Sequence, residues 1–396
     1  MRIEFSSREN LLLGVNGAGK TRLLKLIQAV LTLDFRELLE RSFDVEFEVA
    51  ADTLVDGSEM VTAGRVRYER AFERPEADDA STSSGLVAAM RCRSATVDLQ
   101  YEVKGQEVVY RLASPALEER VTWKSMGLVR PGVREVKSGV LRRIFVAIAA
   151  AADVNYLGES DHQVRALIED LAITFYPPSR WSLQVQGSVG PSLLRELAPL
   201  IARLAVSAKE SVFHAGLELT SLLPDEADAI AALLRPLGVI SVQLVPNVVG
   251  TTATEIECRG VGLKAVFGGG VTLADSKLTF GQRRYLYAGI VSLVHPPVPV
   301  LVDEIDNGMH PRLVETLLNL WGDRQLFLVS HNKMVIDYTN FDSVQDVQEK
   351  IHIVQRDAEG RQRVSLLDAE TAGEIFKKIE VAIQNPSDVL RAEGLW

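Results

Sequence analysis

The chain has 396 residues, 47% of them hydrophobic and 24% charged, with a formal net charge of −10. That length exceeds a usual single domain, and the balance is that of a globular chain able to bury a sizeable core without disulfides or metals. The acidic excess argues against a surface built throughout to neutralise nucleic-acid phosphates. Arg130, Arg134, Lys137, Arg142 and Arg143 form a scattered basic run. Such a run is usually a solvated face, and it leaves nucleic acid open only as a local partner. The two cysteines, Cys92 and Cys258, lack metal-like spacing, which predicts a reducing compartment and no zinc site. No leader-like apolar stretch follows Met1, the apolar run 144–152 is too short to span a bilayer, and 285–302 is broken by His295 and three prolines. A cytoplasmic chain without a membrane partner is expected.

In chain order, the apolar run Leu11–Leu13 ends at Gly14-Val15-Asn16-Gly17-Ala18-Gly19-Lys20-Thr21, and Leu23, Leu24, Ile27 and Val30 then follow helical spacing. Strand, glycine-rich loop and helix in that order make a phosphate cradle. The glycines let backbone N–H groups of Asn16, Gly17, Ala18 and Gly19 turn inward around phosphate oxygens, Lys20 neutralises β/γ oxygens, and Thr21 offers its hydroxyl to Mg²⁺. A plain glycine turn is the bland alternative, and the placement between strand and helix argues against it.

Alternation in 43–49 and 96–103 predicts antiparallel strands, with Lys104–Glu107 as a hairpin turn, so residues 43–138 are expected to form an inserted β-rich lobe. Segment 74–85, rich in Pro, Asp, Ser and Thr, reads as a loop. Residues 139–239 read as a helical lobe or arm holding one core strand, 172–176, which ends at Pro177-Pro178. Strand character returns over 239–245 and 252–267, before Gly268-Gly269-Gly270, and no heptad run or internal repeat is evident. Residues 1–42 and 240–396 are thus expected to be the two halves of the core.

Three further segments carry chemistry. The apolar strand Val298–Val302 ends in Asp303-Glu304, which suits a buried parallel strand whose carboxyl end meets a ligand. There Asp303 would hold Mg²⁺ through water, and Glu304 would act as general base on the attacking water. The strand Leu326–Ser330 delivers His331, which can bond a γ-phosphate or hold that water. Leu278-Thr279-Phe280-Gly281-Gln282-Arg283-Arg284 begins a helix running to about Val294, with Thr279 as N-cap; a hydroxyl and a glycine backbone at a helix start form another anion site.

Taken in this order, the motifs resemble those of ABC-type ATPases, in the soluble branch of RecF, SMC and OLD-family heads, where Leu278–Gln282 matches the Leu-Ser-Gly-Gly-Gln signature. The resemblance implies an α/β P-loop NTPase fold: an ABC-ATPase head with a mixed sheet, an inserted antiparallel β lobe and an inserted helical arm. It implies ATP and Mg²⁺ as cofactors and ATP hydrolysis as the activity. Asn16–Thr21 together with Thr279, Gly281 and Gln282 would contact nucleotide, Thr21 and Asp303 would hold the metal, and Glu304, His331 and Lys20 would carry the reaction. It further implies a homodimer or higher oligomer that sandwiches ATP, Thr279 and Gly281 of one chain completing the Lys20 site of the other.

Thr279 stands where the family has Ser and Phe280 where it has Gly, and Gln184 and Gln186 lie in the region of its Mg²⁺-contacting Gln. Ile305–Pro311 resembles the loop that crosses the dimer interface in OLD-like ATPases. The expected role is a switch in DNA repair or antiviral defence, working with a separate effector protein. The tail beyond His331, a strand pair around 357–360 and a helix near 372–383, is too short for a C-terminal Toprim nuclease domain. The rival reading, the ATPase subunit of a membrane transporter, is disfavoured by the long separation of Gly14 from Gly281. At the end of the chain, Leu395 and Trp396 either fold back on the core or dock a partner.

Overall fold

A computed structural model describes residues 3–33, 35, 38–39, 43–52, 59–68, 86–93, 98–104, 107–112, 117–122, 155–157, 171–176, 180–185, 216–251, 256–294, 299–306, 308–322, 324–382 and 385–395. The chain divides into two compact units, Met1–Lys20 with Asn155–Trp396, and Thr21–Val154. The predicted helices within 139–154 and 191–215, the basic run 130–143, the loop 74–85, Gln186 and Trp396 lie outside the described residues.

The first unit holds a sheet that is parallel except at one edge. Its strands β1 (Glu9–Leu13), β8 (Asn155–Leu157), β15 (Val300–Asp303), β16 (Leu326–Val329), β17 (Ile351–Arg356) and β18 (Gln362–Leu366) are ordered β18-β17-β1-β16-β15-β8. Only β18 runs antiparallel, on β17. β15 and β16 are buried along their whole length, as a continuous aliphatic run requires of a strand covered on both faces. Helix α5 (Pro311–Leu320) buries Leu313, Val314, Leu317 and Leu318, spaced for one helical face, and Trp321 just beyond it donates its indole N–H to Ser292 Oγ of α4 (Phe280–Val294). The numbering counts α1 (Lys20–Thr32), α2 (Leu219–Leu222) and α3 (Ala227–Leu234) before these.

A second sheet in the same unit is antiparallel, with the order β10-β9-β13-β12-β11 and β14 on β13; its strands are β9 (Leu171–Tyr176), β10 (Arg180–Val185), β11 (Leu217–Glu218), β12 (Val239–Thr251), β13 (Ile256–Phe267) and β14 (Thr272–Ala274). One expectation is corrected here. Segment 172–176 is not a strand of the parallel sheet: Tyr176 pairs with Arg180 across a three-residue link, and so short a connection permits only antiparallel pairing. The strands at 239–267 likewise pair with each other and with β9, and Val242, Leu244, Leu263 and Ala265 enter the same core as the parallel sheet. The parallel sheet takes β8 at its edge instead, Val300 opposite Asn155.

The second unit is a six-stranded antiparallel meander in sequence order: β2 (Phe43–Asp52), β3 (Glu59–Tyr68), β4 (Leu86–Arg93), β5 (Asp98–Lys104), β6 (Glu107–Leu112) and β7 (Leu117–Thr122). Lys104 opposes Glu107, as the hairpin reading expects. One face packs Phe35, Val66, Tyr68, Met90, Leu99 and Tyr110 together with Ala29 and Leu33 at the end of α1. Ion pairs such as Arg65–Asp44 and Arg91–Asp98 lie on exposed side chains, where such pairs contribute only about 0–1 kcal/mol each. The buried face therefore holds the lobe together.

Beyond β16 come α6 (Lys333–Asp337), α7 (Val344–Lys350), the β17–β18 hairpin, α8 (Ala369–Ala382) and α9 (Pro386–Ala392). The hairpin and α8 match the tail expected from sequence. Val389 and Leu390 are buried and Leu395 packs against the main core, so the described end of the chain folds back.

β17 also carries a buried histidine. His352 is fully enclosed and its Nε2 lies 3.1 Å from Asn10 Oδ1. That oxygen is an acceptor, already taking the Ser6 N–H at 2.8 Å while Asn10 Nδ2 donates to Leu326 O at 3.0 Å, so the ring donates from Nε2 and is neutral. Burial depresses its pKa to about 4 from the ordinary 6.5. Between these values the unfolded chain takes up a proton that the native protein refuses, so stability falls as pH drops through that window. This group alone should cost about 2 kcal/mol between pH 6.5 and 5. Urea unfolding of the wild type and of His352→Leu at both pH values measures it: the wild type should lose that much more than the variant, and equal slopes would show that His352 is not the titrating group.

Candidate functional site

Strand β1 is buried to its end and delivers Gly14 against β17. A Cβ on Gly14 would lie 2.1 Å from Val354 O, so no side chain fits there. Gly17 and Gly19 take φ of 79° and 100°, open to glycine at little cost. The Ala18 N–H closes a turn on Val15 O at 3.1 Å. Lys20 folds back over this loop, its Nζ donating to Gly14 O at 2.7 Å and to Val15 O at 3.3 Å. The side chain is buried, which lowers its pKa, while the carboxylates of Asp303 and Glu304 act in the opposite direction. The ammonium thus lies within the field of both acids. Thr21 follows it, exposed, as the first residue of the second unit.

The acidic strand end is held from two sides. Asp303 is 3% exposed and pairs in register with Val329 of β16. The N–H of Glu304 donates to Val329 O at 2.8 Å, and Glu304 sits at φ 51°, a left-handed conformation rare for a residue with a side chain. Its Oε1 is 3.8 Å from His331 Nε2, too far for a direct hydrogen bond but close enough for one to form on a small movement. Ser330, before the histidine, donates from Oγ to Asp306 Oδ1 at 2.7 Å and accepts the Asn332 N–H at 2.9 Å. The loop after the acidic strand and the histidine are therefore hydrogen-bonded into one unit.

The head of α4 forms a capping box: Gln282 Oε1 accepts the Thr279 N–H at 3.0 Å and Thr279 Oγ1 accepts the Gln282 N–H at 3.3 Å. Gly281 packs against the loop after β15, where a Cβ would lie 1.9 Å from Gly308 O. One turn on, buried Arg284 donates to Glu304 O at 2.7 Å and to Asp303 O at 2.9 Å. The structure thus brings Lys20, Asp303, Glu304 and His331 to one sheet edge. Thr279 and Gln282 stand at the head of α4, bonded to each other. Of Gln184 only the backbone, on β10 of the antiparallel sheet, is described.

Three residues at the site were given no role in the sequence reading. Arg284 stood inside a recognised segment, but nothing in its spacing shows that it binds two carbonyls. Arg356 Nε donates to Gly17 O at 2.8 Å and Gln362 Nε2 to Gly19 O at 2.9 Å; both come from a hairpin that reads as ordinary exposed polar sequence.

Among the described residues no group of three or more His, Cys, Asp or Glu converges as a metal cage. The donor type present, a buried carboxylate at a strand end, is the one Mg²⁺ uses when phosphates and water complete its shell. No helix among the described residues is long and apolar enough to cross a membrane.

Residues 191–337 match the family described as AAA domain, putative AbiEii toxin, Type IV TA system. The matched span contains Leu278–Gln282, Asp303, Glu304 and His331 and begins after the Gly14–Thr21 loop. No curated protein matches the chain. Among solved structures, a Smc head bound to the C-winged helix domain of ScpA aligns over 93% of this chain and 94% of its own, at 16% identity and a TM-score of 0.44. A Smc head domain with an extended coiled coil, bound to the C-terminal domain of ScpA derived from Pyrococcus furiosus, covers 96% and 94% at 14% identity and a TM-score of 0.41. A third, a Smc head domain with a coiled coil and joint from Pyrococcus yayanosii, covers 96% of each chain at 13% identity and a TM-score of 0.35.

The left-handed Glu304 carries a conformational cost of about 1–2 kcal/mol relative to an unstrained residue. Glu304→Gly should therefore raise unfolding free energy by about 1 kcal/mol, after the entropy that glycine itself loses. Chemical denaturation of both proteins at pH 7 checks this; a destabilised variant would show that the side chain's contacts outweigh the backbone cost.

Proposed function

We propose that the protein binds ATP with Mg²⁺ and hydrolyses it, acting as a switch whose two heads close on each other when nucleotide is bound. The observation that carries this reading is the buried Lys20 amine lying in the field of Asp303 and Glu304, at the edge where Glu304 and His331 face each other at 3.8 Å. In this reading the loop N–H groups of Asn16–Gly19 and Lys20 hold the phosphates. Thr21 and Asp303 hold Mg²⁺, which when bound bridges phosphate oxygens and offsets their charge. Glu304 takes a proton from the attacking water, and His331 holds that water or the terminal phosphate in line.

Arg284 fits as the residue that aims the acids: by holding the carbonyls of Asp303 and Glu304 it fixes the backbone from which both carboxylates project. Thr279, Gly281 and Gln282 would complete the nucleotide site of a second chain, as the resemblance to ABC-type heads implies. The capping box supports this, because it sets a hydroxyl and a glycine N–H at the positive end of a fifteen-residue helix.

The family description, naming a putative AbiEii toxin and a Type IV TA system, favours a role in defence together with a separate partner. Nucleotide-driven closure and reopening of the dimer would be the signal that partner reads.

ATP turnover by wild type, Lys20→Ala and Glu304→Gln, with and without double-stranded DNA, tests the reading. Lys20→Ala should lose ATP binding. Glu304→Gln should bind ATP, turn over roughly 10²–10⁴-fold more slowly, and sediment as a dimer with ATP and Mg²⁺. Normal turnover by Glu304→Gln would remove it as the base. Stimulation of the wild type by DNA would identify nucleic acid as the trigger, and its absence would direct the search to a protein partner.

A further inference from the structure

The phosphate loop of this chain is not held by its own turns alone. Three contacts reach it from the β17–β18 hairpin, more than 330 residues away in sequence. The carbonyl of Val354 presses against Gly14, leaving no room for a Cβ. Arg356 Nε donates to Gly17 O at 2.8 Å. Gln362 Nε2 donates to Gly19 O at 2.9 Å, and the same side-chain amide lies 3.2 Å from where a Gly19 Cβ would stand. All of these residues belong to the same compact unit.

We propose that Arg356 and Gln362 are positioning residues for nucleotide binding, holding the carbonyls of Gly17 and Gly19 so that the loop's turn is fixed and the Lys20 N–H is aimed for the phosphates. A peptide plane is rigid, so fixing the direction of a carbonyl fixes the N–H of the following residue. Gly17 O governs the N–H of Ala18, which closes the loop's turn on Val15 O, and Gly19 O governs the N–H of Lys20. Both glycines sit at positive φ, where an unbraced glycine visits several backbone conformations at similar cost. The two side-chain donors remove that freedom before nucleotide arrives, which is how preorganisation raises affinity. The Arg356 guanidinium also adds a fixed positive charge beside the loop, in a chain with a net charge of −10. This inference rests on the reading of Gly14–Thr21 as an ATP site.

Calorimetric titration of Mg²⁺-ATP and Mg²⁺-ADP into the full-length protein tests it. Gln362→Met keeps the volume and removes the donor; Arg356→Ala removes the donor and the charge. Each should weaken ATP and ADP by the same factor, roughly five- to tenfold, the equivalent of one hydrogen bond, because the braced amides serve phosphates common to both nucleotides. Gln362→Glu, which sets a carboxylate against a carbonyl, should bind more weakly still, and Arg356→Lys should recover part of the loss. The thermal midpoint of the nucleotide-free protein should stay at the wild-type value. Wild-type affinities in the Arg356 and Gln362 variants, with binding lost in Lys20→Ala, would overturn the brace and leave the ATP site standing. Wild-type affinity in Lys20→Ala as well would sink both. Affinity losses that merely follow a falling thermal midpoint would make the hairpin a structural support and overturn the positioning role.

Discussion

The candidate site depends on the register of three parallel strands. Leu326 of β16 faces Glu9 of β1 on one side and Val300 of β15 on the other, and each following residue keeps step, Leu328 with Leu11 and with Val302. From that common level β1 ends at Leu13, β15 at Asp303 and β16 at Val329. The phosphate loop, the acidic pair and the histidine consequently leave the sheet within about one residue of the same height, which is 3.3 Å of strand. A slip of one residue in any of these pairings would turn that strand's side chains to the opposite face and displace its functional residue from the others. The aliphatic runs Leu11–Leu13, Val300–Val302 and Leu326–Val329 are thus functional as well as structural, since their continuous burial pins the register.

Around that edge, backbone groups are held more firmly than side chains. Arg284 clamps the carbonyls of Asp303 and Glu304, Arg356 and Gln362 take those of Gly17 and Gly19, and Lys20 takes those of Gly14 and Val15. Five of these six carbonyls meet a cation. A buried cation without acceptors costs several kcal/mol, while several oriented carbonyls make its burial tolerable. The arrangement places positive charge beside the loop and behind the acids at once. It also explains how Glu304 is kept in a left-handed conformation: its N–H is bound to Val329 O and its carbonyl to Arg284, so both ends of the residue are fixed from outside.

Sequence alone picked out residues that the fold brings together at the candidate site, and only part of the architecture. Lys20, Asp303, Glu304 and His331 could be found because each stands at a fixed offset from an apolar run or a glycine pattern, and such local signals survive without tertiary knowledge. The capping box of Thr279 and Gln282 was legible for the same reason. Segment 172–176 was read as a core strand because alternation reveals a strand without its partner, and the short link through Pro177-Pro178 ties it to Arg180. Strand β8 gave no signal, since Asn155–Leu157 has only three residues. The carbonyl-holding roles of Arg284, Arg356 and Gln362 depend on long-range contacts between side chains and backbone, which have no period and no motif.

The boundary between the two compact units falls inside the phosphate motif, between Lys20 and Thr21. α1 nevertheless begins at Lys20 and runs unbroken to Thr32, where Ala29 and Leu33 enter the core of the second unit. Lys20 is thus both the last residue of the first unit's N-terminal segment and the first residue of α1. On the other side, the β17–β18 hairpin holds the same loop from the tail, with α8 following directly from β18. Within the first unit the loop is thus tied to the parallel sheet through β1 and to the β17–β18 hairpin through Arg356 and Gln362.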